Sequence, residues 1–503
     1  MAEFNLRMIK IFFGIVVVMF VLAMTSGMDI LRGKRLVQWR DVQMEMSFME
    51  YKNATTAESF AVLRNNQNAK SIPVLLYHGI ITDRNWEEDG TNISLENFQK
   101  QMSALKQAGY QTVTMADFSQ YMQGKKSLPD KSILITFDDG RRDSYYQADP
   151  IFRALGFNAV MFLISGKSLG AQSSGDRFYL GKSELEDMIK SKRWEIQSHG
   201  DFDHDWMPID AAGNKGHFMS NRIWLPAENR NETADEAKKR ILADLENSKT
   251  KIEQELGQNV FAFAYPFSDF GQNGSNFPES QQFLAENISR TYPLTFYQEE
   301  KYEPLLNVSN PKTFMIKRIN VDDSVSVGGL LNILSQNKEK DLPYDDSFWN
   351  DGGWRVKFGN ANVWGALNLF ESEELGGNMT ILLGSSLWED YAVRNQARII
   401  YGNSVSQIVR YINEKNYARC NFGTGGISIR QIVDGKDMEI AEKKEDFSNL
   451  SRSFNEIGVQ VRGDKISCQL NGQTELEAEL NPSLSAGGIG FYSWDELPGK
   501  TKI

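Results

Sequence analysis

The sequence has few cysteines, few histidines and no surplus of positive charge, and each shortage rules something out. Two cysteines in 503 residues, Cys420 and Cys468, exclude both a disulfide framework and a cysteine-rich zinc site. The 66 acidic residues outnumber the 55 basic ones and leave a net charge of −11. That balance argues against nucleic acid as a partner, since neutralising phosphates takes clustered Lys and Arg. No low-complexity tract interrupts the chain, and 41% hydrophobic with 24% charged residues is the composition of a folded protein. The length is too great for a single core, so two or more domains are expected. Only four histidines are available for chemistry: His78, His199, His204 and His217.

A charge-free apolar run stands at Ile11–Met28, preceded by Arg7 and Lys10. Its length falls within the roughly 17–25 residues of a membrane-spanning helix. The reading is a transmembrane anchor over residues 1–28 and a polar, Met-rich juxtamembrane stalk over 29–70. A cleavable signal peptide is the rival, because Ala23-Met24-Thr25 and Thr25-Ser26-Gly27 place small residues at plausible cleavage positions. No cysteine follows the run, which excludes lipid attachment there. Arg32, Lys34 and Arg35 nearly balance the charges on the near side, so flanking charge leaves the orientation open.

Residues 71–338 alternate between two periodicities. "IPVLLYHGI" (72–80), "ILITF" (133–137), "NAVMFLI" (158–164), "WEIQSH" (194–199) and "VFAFAYPF" (260–267) read as buried strands, and "QTVTMADF" (111–118) as a short one. Between them, Phe98, Met102 and Leu105 share a helix face that stops at Gly109, and an apolar helix surrounds Ile151–Leu155. Ser183-Glu184-Leu185-Glu186 reads as a capping box, and Glu232–Leu256 as a long amphipathic helix. Strands alternating with helices imply a parallel sheet, open or closed as an α/β barrel. From about residue 339 to 503 the pattern changes to short strands such as "WRVKFG", "MTILLG" and "GGIGFYSW", separated by Gly, Asn and Asp turns. Asn471-Gly472 between two alternating runs is a hairpin signal. This second domain reads as an all-β jelly-roll sandwich. Cys420 and Cys468 fall in phase with apolar neighbours and point into its core; whether they pair stays open.

Functional residues of a parallel sheet gather at the carboxyl ends of its strands. Three such ends carry polar groups here: Asp138-Asp139 after "ILITF", Ser198-His199 after "WEIQ", and Tyr265-Pro266-Phe267 after "FAFA". His204 lies five residues beyond His199. One carboxylate and two imidazoles on one rim make a three-ligand divalent-metal site with an open position. The second aspartate is then spare, and an ionised carboxylate beside a cation is a natural general base.

"TFDDG" (136–140), "SHGDFDH" (198–204) and "AFAYPFSDFG" (262–271) together resemble the polysaccharide deacetylase family, the NodB-homology domain of carbohydrate esterase family 4, over roughly residues 72–335. The resemblance implies a distorted (β/α) barrel, Asp138 as the catalytic base, and Asp139, His199 and His204 as metal ligands. Zinc suits two imidazoles and one carboxylate. The backbone N–H of Phe267 takes the family's oxyanion-donor place. The gap between the histidines and the Tyr77-His78 pair on the first strand are similar to the poly-N-acetylglucosamine branch, which makes His78 the general acid. Elimination points the same way: His199 and His204 are committed to metal, and His217 sits in an insertion, "AAGNKGHFMSNRIWLP" (211–226), with no strand to aim it. His217 therefore reads as a solvated or rim histidine. The family's usual arginine has no counterpart, since its place falls on Ala264. Arg141 and Arg142 read as surface charge or as its substitutes. Tyr265 and Trp206 are candidate substrate contacts. Trp206 and Trp224 have two readings, stacking on sugar faces or packing in the core.

The second domain resembles concanavalin-A-like sandwiches of the laminin-G and glucanase type, which implies carbohydrate binding or a spacer role. The expected whole is a membrane-anchored, extracytoplasmic, metal-dependent N-deacetylase. Its partners would be an N-acetylated exopolysaccharide, the membrane and a glycan synthase or export complex. Two alternatives stand beside it: a peptidoglycan deacetylase, and a catalytically silent glycan-binding protein on a deacetylase scaffold.

Overall fold

A computed structural model describes residues 68–503, apart from Arg84 and the segments 171–177, 299–305, 313–314, 337, 349–351, 364–365, 371–375 and 495–503. The expected anchor and the expected stalk as far as residue 67 lie outside the described residues. Among the described residues no helix is long and apolar enough to cross a membrane.

Seven parallel strands close into a barrel: β1 (Val74–Tyr77), β2 (Ser132–Phe137), β3 (Ala159–Leu163), β4 (Trp194–Ser198), β5 (Ala262–Ala264), β6 (Leu294–Gln298) and β7 (Met315–Asn320). The ring closes at β1, where Leu76 pairs with Thr136 of β2 on one side and Asn320 of β7 on the other. Every residue of β2 is buried, because the interior fills one face and helices cover the other. Strand alternation sorts the two cores. Val74, Leu134, Val160, Phe162, Ala264, Phe296 and Ile316 pack in one, and Leu75, Tyr77, Ile133, Ile135, Phe137, Met161 and Ile196 pack in the other with the helices.

The longer helices among the described residues are α1 (Leu95–Gln107), α2 (Met115–Met122), α3 (Arg142–Leu155), α4 (Lys182–Lys190), α5 (Ala234–Leu256), α6 (Ser280–Thr291) and α7 (Val327–Gln336). The expected strand at 111–118 is only Gln111–Thr112. Thr114 then caps α2 by accepting the Asp117 N–H, a contact worth about 1 kcal/mol. Met115, Phe118 and Met122 of α2 join the core of Val74 and Ile316. The expected capping box at Ser183 sits earlier: Gly181 is the cap, and its N–H donates to Glu184. The box on α5 is reciprocal, between Thr233 and Glu236.

Residues 354–494 form an all-β sandwich. A seven-stranded antiparallel sheet runs in the spatial order 354–358, 377–382, 488–494, 404–413, 416–423, 426–433 and 436–443. A four-stranded sheet follows the order 391–397, 455–462, 465–470 and 473–479. The hairpin at Asn471-Gly472 has both residues at positive φ, 50° and 78°, which the tight two-residue turn requires. Cys420 of the larger sheet and Cys468 of the smaller are fully buried and form a disulfide across the core, with Cα atoms 5.8 Å apart.

Candidate active site

The inward register of four strands carries polar side chains to the site, three of them just past a strand's carboxyl end and Arg318 inside β7. Val74 and Leu76 lead to His78, Leu134 and Thr136 to Asp138, Glu195 and Gln197 to His199, and Ile316 to Arg318. The backbone holds this register at the rim: the Asp138 N–H donates to the Tyr77 carbonyl at 3.2 Å, and the His199 N–H to the Leu163 carbonyl at 2.8 Å.

Asp138 is 2% exposed, a position that disfavours an ionised carboxylate. Arg318, itself buried, resolves the conflict. Its Nη1 and Nη2 donate to Asp138 Oδ1 and Oδ2 at 2.6 and 2.7 Å. Burial pushes the carboxyl up, but the Arg318 guanidinium, with His199 and His78 nearby, outweighs it and holds Asp138 below the usual carboxylate range. Arg318 is thus the residue that orients Asp138, and sequence reasoning missed it. Neither proposed substitute reaches that role. Arg141 is buried rather than a surface charge and forks onto Asp143, while Arg142 pairs with Glu184. Glycine at position 79 permits this placement, since a Cβ there would meet Arg141 Nη2 at 2.1 Å.

Asp139 sits beside this pair at a φ of 73°. Its Oδ1 lies 3.3 Å from His204 Nε2 and 3.6 Å from His199 Nε2. The three residues each offer a ligand atom, and all of these atoms lie within 4.8 Å of one another. The set fits a divalent cation on three observations. Asp139 Oδ1 is buried and makes no hydrogen bond among the described residues. His199 Nδ1 lies 2.8 Å from the Ala264 carbonyl, so it carries the proton and leaves Nε2 a lone pair. Burial, only partly offset by Asp138 and Asp139, lowers His199 to about 4, which keeps it neutral near pH 7. Asp139 is lowered too, because the His204, His78 and His199 imidazoles outweigh its burial. His204 goes up, where Asp139 outweighs burial.

The turn after β5 supplies the next wall. Phe267 adopts φ 56° and is 39% exposed. Its ring lies 4.4 Å from that of His204 and 4.8 Å from that of His217. Trp206 is 51% exposed and meets His217 edge-on at 4.5 Å, so it stands on the surface beside the site and not in the core. Tyr265 differs from expectation. Its side chain is buried among Phe263 and Phe270 and serves packing, not an open substrate surface. His217 also differs: it ends a strand, 215–217, that pairs with 206–208, and Asp269 holds its Nδ1 at 3.1 Å. His78 stands on the same rim with a buried Nδ1 that makes no hydrogen bond among the described residues. Trp224 is half-buried in a two-residue strand.

A closed parallel barrel whose rim sets an arginine-held carboxylate beside a carboxylate and two imidazoles is a site suited to hydrolysis. Within that class, residues 125–277 match the polysaccharide deacetylase family, and the chain carries a polysaccharide deacetylase domain. The chain is similar to the poly-beta-1,6-N-acetyl-D-glucosamine N-deacetylase of Escherichia coli K12, with 24% identity over 180 residues, 34% of this chain and 27% of that protein. It is similar to the enzyme of the same name from Staphylococcus aureus MRSA252, with 25% identity over 176 residues, 35% of this chain and 53% of that one. The chain therefore spans about half or less of these relatives' lengths. Among solved structures, the de-N-acetylase from Aggregatibacter actinomycetemcomitans aligns with a TM-score of 0.44 and 20% identity, covering 52% of this chain and 99% of that one.

Proposed function

We propose that this protein is a metal-dependent N-deacetylase of an N-acetylhexosamine exopolysaccharide of the poly-β-1,6-N-acetylglucosamine kind. The observation that carries the reading is the division of labour between the paired aspartates: Asp138 is locked by Arg318, and Asp139 faces His199 and His204. The relatives' names supply the substrate class.

A divalent cation held by Asp139, His199 and His204, zinc by ligand preference, would supply Lewis-acid charge and make water more acidic. Asp138 takes a proton from the water as its oxygen attacks the acetamide carbon. The developing oxyanion accepts a hydrogen bond from the Phe267 N–H. As the C–N bond breaks, His78 gives its proton to the departing amine and acetate leaves. Trp206 offers an exposed ring for a sugar face.

An extracytoplasmic location, with the apolar run at Ile11–Met28 as anchor, suits such a polymer. The Cys420–Cys468 disulfide supports it, because such bonds persist in oxidising compartments. A glycan synthase or export complex is the partner that this location implies, and the sandwich would contact the polymer. The test is acetate release by the purified protein from poly-β-1,6-N-acetylglucosamine oligomers and from peptidoglycan, with and without chelator. Chelator-sensitive release from the oligomers is expected. Release from peptidoglycan alone would reassign the substrate, and release from neither would leave a glycan-binding scaffold.

A further inference from the structure

Phe267 and Ser268 are consecutive non-glycine residues in the left-handed region, at φ 56° and 54°. L side chains seldom adopt that conformation, and two in a row persist only where the surroundings hold them. The turn's own bonds run from the Ser268 N–H to the Tyr265 carbonyl at 3.1 Å and from the Asp269 N–H to the Pro266 carbonyl at 2.9 Å. Neither engages the Phe267 N–H. Ser268 is secured on its other side, where its hydroxyl meets the backbone of Gln298. Phe267 needs a different restraint.

One residue from outside the turn grips it twice. The His217 ring stacks on the Phe267 ring at 4.8 Å with 14° between the planes. The same imidazole is tied through Nδ1 to Asp269 Oδ2 at 3.1 Å. Asp269 makes a firm anchor. It is 1% exposed, its Oδ1 accepts the Gly271 N–H at 3.0 Å, and its Oδ2 also accepts the Ser220 hydroxyl. Burial opposes its ionisation, but the hydrogen bonds from His217, Ser220 and Gly271 outweigh it, so the carboxylate stays charged. His217 itself is placed by the pairing of 215–217 with 206–208, in which it sits opposite Trp206. The contacts at Phe267 and Asp269 straddle the turn.

We propose that His217 is a positioning residue for the deacetylation proposed above, a role that rests on that reading: it clasps the 265–269 turn through Phe267 and Asp269 and keeps the Phe267 N–H aimed at the reacting carbonyl. His217 touches no reacting atom in this scheme. Because an oxyanion donor acts on the transition state more than on the bound substrate, losing the clasp must appear in kcat and not in KM.

His217→Ala is therefore expected to lower kcat on soluble oligomers by about 10–100-fold, less than the roughly 10²–10³-fold cost of deleting a donor. KM should stay within about twofold and metal content should match the wild type. His217→Phe keeps a ring on Phe267 but loses the bond to Asp269, so its kcat should fall less than that of the alanine variant. It also provides the reading if His217→Ala fails to fold. A crystal structure of either variant should show Phe267 out of the left-handed region. Wild-type kcat in both variants would overturn the proposal, as would a loss carried by KM alone, which marks a substrate-rim histidine, or an unchanged Phe267 backbone. If the wild-type protein released no acetate from any oligomer, the functional reading would fall. The Phe267 conformation would still judge the clasp.

Discussion

Arg318 holds Asp138 through a two-pronged contact, 2.6 Å to one carboxylate oxygen and 2.7 Å to the other, from a strand separated from that of Asp138 only by β1. Both side chains are almost fully buried. Such a pair gains its worth from geometry, since the guanidinium fork satisfies both oxygens at once and leaves the carboxylate charged.

Arg318→Met should remove the largest of the groups that together outweigh burial at Asp138. Asp138 is depressed in the native protein, so the pair stabilises the fold above the unfolded carboxyl pKa, and that contribution is lost as pH falls through the lower native value. Without Arg318 only burial and the imidazoles remain. The native pKa should rise, the sign should reverse, and the variant should gain stability on acidification. Breaking a buried pair costs about 3–5 kcal/mol near neutral pH. Denaturant unfolding at several pH values checks the sign, and the acid limb of the pH–rate profile should move to higher pH. Arg318→Lys keeps the charge but not the fork, and should recover stability better than rate.

Asp139→Ala, His199→Ala and His204→Ala should each bind metal far more weakly than the wild type, because each removes one of the three proposed protein ligands. Elemental analysis after dialysis checks this. Full occupancy in two of the three variants would show that the cluster is not the metal site.

How far the sequence reached depends on what kind of signal each residue left. His78, Asp138 and His199 each end an apolar strand, where a polar residue is conspicuous. Arg318 was hidden because Lys317-Arg318 reads as two surface charges in the middle of β7, with no apolar run to mark the strand. Its phase with buried Ile316 was the available clue. Ala264 contributes its carbonyl to His199, a role to which side-chain identity is blind. His217 lies in a three-residue strand with no apolar run to mark it, and Asp269, its partner, is 52 residues away. The barrel's alternation was legible through β5. Strands β6 and β7 and helices α6 and α7 were not assigned, although the ring cannot close without the two strands.

Reduction of the Cys420–Cys468 bridge, or Cys420→Ser with Cys468→Ser, should loosen the sandwich and leave the barrel's chemistry intact. The bridge closes a loop of 48 residues, which on chain entropy alone corresponds to about 4 kcal/mol. Every proposed active-site residue lies between His78 and Arg318. Proteolysis within residues 354–494 should therefore accelerate under reductant while acetate release from short oligomers holds. A parallel loss of both would mean that the sandwich supports the active site directly.

Asp138→Asn and His78→Ala should separate the proposed base from the proposed acid. Both variants leave Asp139, His199 and His204 in place, so both should retain metal. Each should slow hydrolysis of the glycan amide by roughly 10²–10⁴-fold, the usual cost of losing a positioned proton carrier. They diverge when the leaving group changes. An amine must be protonated as it departs, whereas the nitrophenolate of 4-nitrophenyl acetate leaves unaided. His78→Ala should therefore lose little on the ester, because attack by water still has its base and its oxyanion donor. Asp138→Asn should lose on ester and amide alike, because attack itself is impaired. Acetate release from oligomers beside nitrophenolate release from the ester gives the comparison for each variant. Equal losses on both substrates for His78→Ala would remove it from the acid role and leave it a strand-end histidine that shapes the rim.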